Sequence, residues 1–371
     1  MGRMKKLVIV AQAVDRDDSN LGAFYHWFRL LADRADETHI IAKCAGTSEF
    51  SSHVSVHTFG EDGEGVHPLR AKIRRLMKFW ELCAQHFAGA DAIFFHQIPE
   101  FVLAASPFLL GRRTSASLWY AHGAVSWRLR LAERIVYTIF TSSEAGFRLP
   151  SKKVIHLGQA INTDLFKPIS NRTTTDNLQA TTSLRMVSVG RISSVKHYET
   201  IIAACVILRE TSKIPWTLTI IGGPLTLGDL AYAEKLRSLA QEKGLAEMIH
   251  FAGPRPYSDV PALLGGYDMF LNCSRTGSLD KAVLEAMACG LTVITSNMGY
   301  RTILPSAYFL PDNRPEALAD RIVALAGEKR PNAALRDIVM RDHALGPTID
   351  RMAGFLMPSH QVEYPYLPHS L

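Results

Sequence analysis

The chain has 371 residues, enough for two domains of ordinary size with separate cores. Apolar residues make up 47% and charged residues 20%, which excludes a disordered chain, and no apolar run approaches the roughly 18 residues of a bilayer-spanning helix. A formal net charge of +6, carried mostly by the first half, suits an anionic partner; nucleic acid is set aside because no aromatic–basic interleaving or helix-turn-helix pattern accompanies the charge.

The first apolar run, Lys6–Ala13, is too short for a signal peptide and soon meets Asp15, Asp17 and Asp18, so it predicts a buried strand. A polar loop, Asp15–Gly22, and a helix, Ala23–Ala35, follow. Further strands fit His39–Lys43, Val54–Phe59, Asp91–His96, Ser117–His122 and Ile135–Ser142, with helices over Pro68–His86, Pro99–Leu110 and Arg128–Arg134. This alternation predicts a parallel sheet covered on both faces. Residues Ile169–Ser183, rich in Thr, Ser and Asn without a hydrophobic period, form a linker. Beyond it, strands are expected at Met186–Val189, Thr217–Ile221, Met248–Phe251, Met269–Leu271 and Thr292–Thr295, separated by helices. Pro347–Met357 predicts a last helix, and Pro358–Leu371 an irregular tail. The five cysteines are scattered with no C-x-x-C pair and most sit in apolar surroundings, which predicts buried reduced thiols in a reducing compartment and suggests no metal site.

Two stretches carry chemistry. Strand Met186–Gly190 runs into Arg191 and, five residues later, Lys196. Cations leaving the carboxyl end of a strand lie where open α/β sheets bind ligands, and two of them can clamp a diphosphate. The second stretch, Thr276–Gly290, is a polar loop entering a short helix, with Asp280 as N-cap, Val283, Leu284 and Met287 as the apolar face and Gly290 as the stop. A helix N-terminus suits a phosphate or sugar oxygen. Glu285, one turn in, offers an acceptor for a pair of ribose hydroxyls. An ordinary capped helix on a sheet is the plainer reading of this second stretch alone.

The pairing of Gly190-Arg191 and Lys196 with the loop–helix containing Glu285, about ninety residues on, resembles the retaining, nucleotide-sugar-dependent group 1 (family 4) glycosyltransferases. Lys153–Pro168 resembles the segment with which that family closes its first domain. The resemblance implies a GT-B fold: two Rossmann-like α/β domains facing each other across a cleft. Its divisions would be 1–168 on the acceptor side, a linker at 169–183, a nucleotide-sugar domain at 184–346, and 347–371 returning to the first domain. Arg191 and Lys196 would stabilise the leaving diphosphate and Glu285 would bind ribose. Gly277, Ser278, Leu279, Asp280 and Lys281 would meet the donor, together with Gly190 and Gly22. His122, after a strand end and before Gly123, would face the donor sugar; His96 is a weaker candidate. The resemblance implies a nucleoside diphosphate sugar as donor substrate, no required metal or other cofactor, and a glycan or lipid-linked acceptor. Family members usually carry Glu where this chain has Gly277, which puts the sugar in question more than the nucleotide.

Residues 69–80 form a basic amphipathic helix, with Leu69, Ile73, Leu76, Met77 and Trp80 on one side and cations opposite. It either docks on anionic lipid, with Arg112, Arg113, Arg128 and Arg130 adding charge, or packs on the core with a solvated basic face. The expected location is the cytoplasm or the inner face of the cell membrane. A same-fold sugar-nucleotide epimerase and a non-catalytic sugar-nucleotide-binding protein are the rival functions. A nicotinamide dehydrogenase is set aside because no G-x-G-x-x-G follows a strand.

Overall fold

The computed structural model describes residues 4–60, 67–109, 115–169 and 183–356. Most of the expected linker, the tail beyond residue 356, and Arg112 and Arg113 lie outside them. The described residues divide into two compact units: 4–16, 24–160 and 346–356 in the first, and 17–23 with 161–345 in the second.

In the first unit, seven parallel strands stand in the order β3-β2-β1-β4-β5-β6-β7. They are β1 (Met4–Val14), β2 (Ala35–Ala45), β3 (Val54–Thr58), β4 (Ala92–His96), β5 (Ser115–Trp119), β6 (Thr138–Thr141) and β7 (Val154–His156). Helices α1 (Gly22–Ala32), α2 (Pro68–His86), α3 (Pro99–Leu109) and α4 (Trp127–Ile135) connect them. Residues Leu7–Val10 are fully buried, because a parallel strand covered on both sides needs an apolar side chain at every position. Val8, Ile93, Phe95 and Leu118 pack with Phe79 of α2 and Leu129 of α4. On α1, Trp27 meets Trp119 edge-on at 4.6 Å, and its indole N–H donates to the Ala160 carbonyl at 2.9 Å. The last helix closes on this unit: Arg34 pairs with Asp350 at 2.9 Å, and Arg351 donates to the Leu157 carbonyl at 2.8 Å.

Several boundaries differ from the expected ones, three of them by about a helical turn. Helix α1 stops at Ala32, because Ala35 already pairs in register with Met4 at the start of β2. Strand β5 stops at Trp119, leaving His122 in the irregular chain beyond it, and Ile135 belongs to α4 rather than to the next strand. The basic helix corrects the core-packed reading more deeply. Its buried side is Ala71, Phe79, Leu82 and Cys83, so the stripe of Leu69, Ile73, Met77 and Trp80 is exposed, Met77 at 64%.

The second unit has five parallel strands in the order β10-β9-β8-β11-β12. They are β8 (Leu184–Val189), β9 (Trp216–Ile221), β10 (Ile249–Gly253), β11 (Met269–Asn272) and β12 (Thr292–Thr295). Its helices are α5 (Tyr198–Thr211), α6 (Leu227–Glu242), α7 (Val260–Leu264), α8 (Lys281–Ala288), α9 (Pro315–Leu325) and α10 (Ala333–Asp342), before α11 (Leu345–Leu356). One sheet face packs Met186, Leu218 and Leu271 against α5, α6 and α9; the other packs Val187, Phe270 and Val293 against α8 and α10. Strand order reverses between β8 and β11, and an open sheet binds ligands at the carboxyl ends of such a pair.

Candidate active site

Strand β8 leads into Gly190 and its neighbour β9 into Gly222, with φ of +149° and +144°. A Cβ on Gly222 would fall 1.9 Å from the Gly190 carbonyl oxygen, so the strand ends approach as only glycine allows. A cavity of about 240 Å³ opens there, lined by Gly190, Arg191, Gly222, Pro224 and Arg255, with Ser19 and Asn20 from the 17–23 segment.

Lys196 ends a 3-10 turn after Arg191, and His197, left-handed at φ +50°, starts α5. The lysine folds back until its Nζ would stand 3.5 Å from a Cβ on Gly190. There it forms an ion pair with Asp280, both side chains being largely buried. Asn272, the last residue of β11, donates to the Asp280 carboxylate at 2.9 Å, and Tyr300 donates to the Asp280 carbonyl at 2.6 Å. Asp280 therefore occupies the N-cap position of α8 without capping by its side chain, whose Oδ2 takes both Lys196 and Asn272. The far end of α8 closes as expected. Gly290 is left-handed at φ +75°, Leu291 N–H donates to Ala286 at 3.0 Å, and Gly290 N–H to Met287 at 2.9 Å.

Glu285 is buried at 4% exposure, and Tyr257 donates its hydroxyl to Glu285 Oε1 at 2.8 Å. Burial pushes the carboxyl up to about 7 against the opposing pull of Lys281 one turn earlier. Burial also holds the Lys281 ammonium below the usual lysine range. Tyr257 takes one of about four lone-pair sites of the carboxylate, so further acceptor capacity remains in principle.

The structure thus gathers Gly190, Lys196 and Asp280 at one point and sets Arg191 in the adjoining cavity. Lys196 and Glu285 are not part of that cavity's lining. Several other expected residues have different surroundings. Leu279 is buried in the apolar core beneath α8, so its side chain anchors the loop. Ser278 presents its carbonyl to Asn297 at 2.8 Å. Gly277 is left-handed at φ +77°, a conformation in which the family's glutamate would be strained. Gly22 begins α1, with its N–H on the Asp18 carbonyl at 2.9 Å; Ser19 and Asn20, not Gly22, line the cavity. In the first unit, His122 is exposed with its ring 5.5 Å from that of Tyr120, while His96 is a core residue whose ring lies 4.0 Å from Phe24. Sequence reasoning missed Tyr257, Asn272, Arg255 and Gly222. Only Gly222 had a signal, since Gly222-Gly223 follows an apolar strand just as Gly190 does.

Comparison with known proteins bears on the fold and on the second half of the chain. Residues 171–336, a little under half of the chain, match the family described as Glycosyl transferases group 1. The putative colanic acid biosynthesis glycosyltransferase WcaL of Escherichia coli is 30% identical over 156 residues, 39% of this chain and 36% of that protein. The matched part thus spans about a third of that relative. Over nearly the whole chain the fold resembles HepE of Anabaena, solved with UDP and glucose: TM-score 0.70, 16% identity, 95% of this chain and 99% of the other. Sucrose-phosphate synthase of Thermosynechococcus elongatus gives a TM-score of 0.73 at 17% identity, covering 95% and 98%. The architecture is GT-B, and its second half carries the group 1 glycosyltransferase pattern.

Proposed function

We propose that this chain is a retaining group 1 glycosyltransferase that moves a sugar from a nucleoside diphosphate sugar to an acceptor hydroxyl. The observation that carries the reading is the meeting of Gly190, Lys196 and Asp280 at the strand-order reversal, beside the Arg191 cavity. A donor diphosphate would displace Asp280 from Lys196 and gain Arg191, so that both cations take up charge as the glycosidic bond breaks. Glu285 would accept from the ribose hydroxyls, and Gly277, Asp280 and Lys281 would border the sugar. The acceptor would enter on the face that the phosphate leaves, with positioning and fixed charge supplying the rate and no metal or cofactor needed. HepE, a structural relative solved with UDP and glucose, supports a donor of this class.

A thermal-shift screen of UDP- and GDP-sugars tests the donor. A ligand at 100 times its Kd adds about 2.7 kcal/mol to the folded state, so one sugar nucleotide should raise Tm. No shift with any of them would remove the proposal.

For the acceptor we favour a lipid-linked glycan in polysaccharide or lipid-linked glycan assembly, met at the cytoplasmic face of a membrane. Among the described residues no helix is long and apolar enough to cross a bilayer. Helix α2 instead exposes Leu69, Ile73, Met77 and Trp80 beside Arg70, Arg74 and Lys78, and α4 exposes Trp127 beside Arg128. Apolar side chains flanked by cations suit an anionic interface. Co-sedimentation should favour phosphatidylglycerol vesicles over phosphatidylcholine vesicles, and Met77→Glu should reduce the difference. Equal sedimentation with both lipids would remove the docking reading.

A further inference from the structure

The first unit holds a second polar cluster, built from residues far apart in the chain. His39 lies on β2, His57 on the edge strand β3, and His86 is the last residue of α2. One ring nitrogen from each lies within 4.8 Å of the others. His39 Nδ1 stands 3.3 Å from His57 Nε2, and the His86 ring centroid is 4.1 Å from that of His39 and 4.3 Å from that of His57. On its other side, His39 Nε2 meets Glu37 Oε1 at 2.8 Å.

The glutamate decides the chemistry. A carboxylate accepts, so the His39 proton sits on Nε2 and the Nδ1 lone pair faces His57. Two nitrogens bound to one tetrahedral zinc ion at about 2.0–2.1 Å stand roughly 3.3–3.4 Å apart, the separation already present between His39 and His57. An imidazole–imidazole hydrogen bond accounts for that pair, while His86 lies against both rings, stacked at 27° on His57 and tilted 35° to His39, so its ring must turn to aim a lone pair at a shared ion. Metal-bound histidines, moreover, usually donate their second ring nitrogen to a carboxylate, as His39 does. Lys6 and Lys78 act electrostatically on His86 and His57 and would oppose a cation, whereas Glu37 would offset one.

We propose that His39, His57 and His86 bind one divalent transition-metal ion of the zinc class, with Glu37 orienting His39 and a fourth position left to water or a small ligand. Imidazole ligands suit zinc, copper or nickel, and three of them with one open position match tetrahedral zinc best. The ion would tie the end of α2, the helix with the exposed stripe, to the edge of the sheet. This site is independent of the donor site in the other unit, so either reading can fail alone.

The test uses the full, untagged chain stripped with a chelator. Titration with zinc chloride should give one equivalent by calorimetry and a raised Tm, and cobalt chloride should give the strong visible absorption of a tetrahedral ion. His57→Ala and His86→Ala should each abolish both signals while far-UV circular dichroism stays unchanged. Glu37→Gln should keep the fold and weaken zinc binding about 10–100-fold. The proposal is overturned if cobalt keeps its aquo-ion spectrum, if His86→Ala binds zinc as tightly as the parent, or if Glu37→Gln leaves affinity unchanged. A thermal shift with the best sugar nucleotide, retained in the histidine variants, shows that the donor site is intact whichever way the metal result falls.

Discussion

The two sheets share a core order, β3-β2-β1-β4-β5 in one unit and β10-β9-β8-β11-β12 in the other, yet they furnish their strand ends differently. In the second unit the reversal point is polar. Lys196, Asp280 and Asn272 form a continuous network there, with glycine at two strand ends where backbone must come close. In the first unit the matching strand β4 ends in His96, packed edge-on or tilted among Phe24, Phe28 and Phe94 and 3% exposed. There, the exposed charge and apolar surface lie on the outer helices α2 and α4. The doubly wound topology provides a crevice in principle on both sheets. Whether it becomes a binding site depends on what the chain places at the strand ends: aromatic rings fill one, and a charged pair makes the other polar.

The sharpest way to break this contrast is Lys196→Ala. If the second unit carries the charge stabilisation, turnover should fall about a hundredfold or more, as it does when one preorganised donor or cation is lost. Substrate affinity should fall less, because the interaction strengthens in the transition state. The variant also strands Asp280 without its cation, so urea unfolding must accompany the kinetics. Unchanged turnover in a folded variant would move the chemistry away from β8 and β11.

Much of this site was legible because it breaks a period. Gly190-Arg191 interrupts an apolar strand, and Glu285 is a charge within an apolar helical face. What could not be read was partnership. Asp280 lies 84 residues from Lys196, and the local spelling gave it a capping role that the fold does not use. Tyr257, in a turn between β10 and α7, looks like any core aromatic until it meets Glu285 from 28 residues away. Helix α2 has two apolar stripes, and periodicity predicts amphipathicity without saying which stripe packs; Phe79 and Leu82 took the core, leaving Met77 and Trp80 outside. The histidine cluster had no signal at all, since its members come from two strands and a helix end with no ligand-like spacing.

A smaller effect sharpens the comparison from the side of stability. Glu285 is a buried carboxyl hydrogen-bonded to Tyr257, and burial raises its pKa from the ordinary carboxylate value of 4.5 to about 7. Between those values the native protein binds a proton that the unfolded chain has released, so the unfolding free energy falls as pH rises. The contribution is complete below about 4.5 and lost as pH passes through about 7. Glu285→Gln cannot titrate and keeps the amide oxygen as an acceptor for Tyr257. Urea unfolding at pH 5 and pH 8 should therefore show the parent losing about 1–3 kcal/mol relative to the glutamine variant. Donor ribose hydroxyls would favour the ionised carboxylate, so saturating nucleotide should shrink that difference. If parent and variant lose stability in parallel, burial of Glu285 is not what holds the proton. If nucleotide leaves the difference untouched, Glu285 does not meet the ribose.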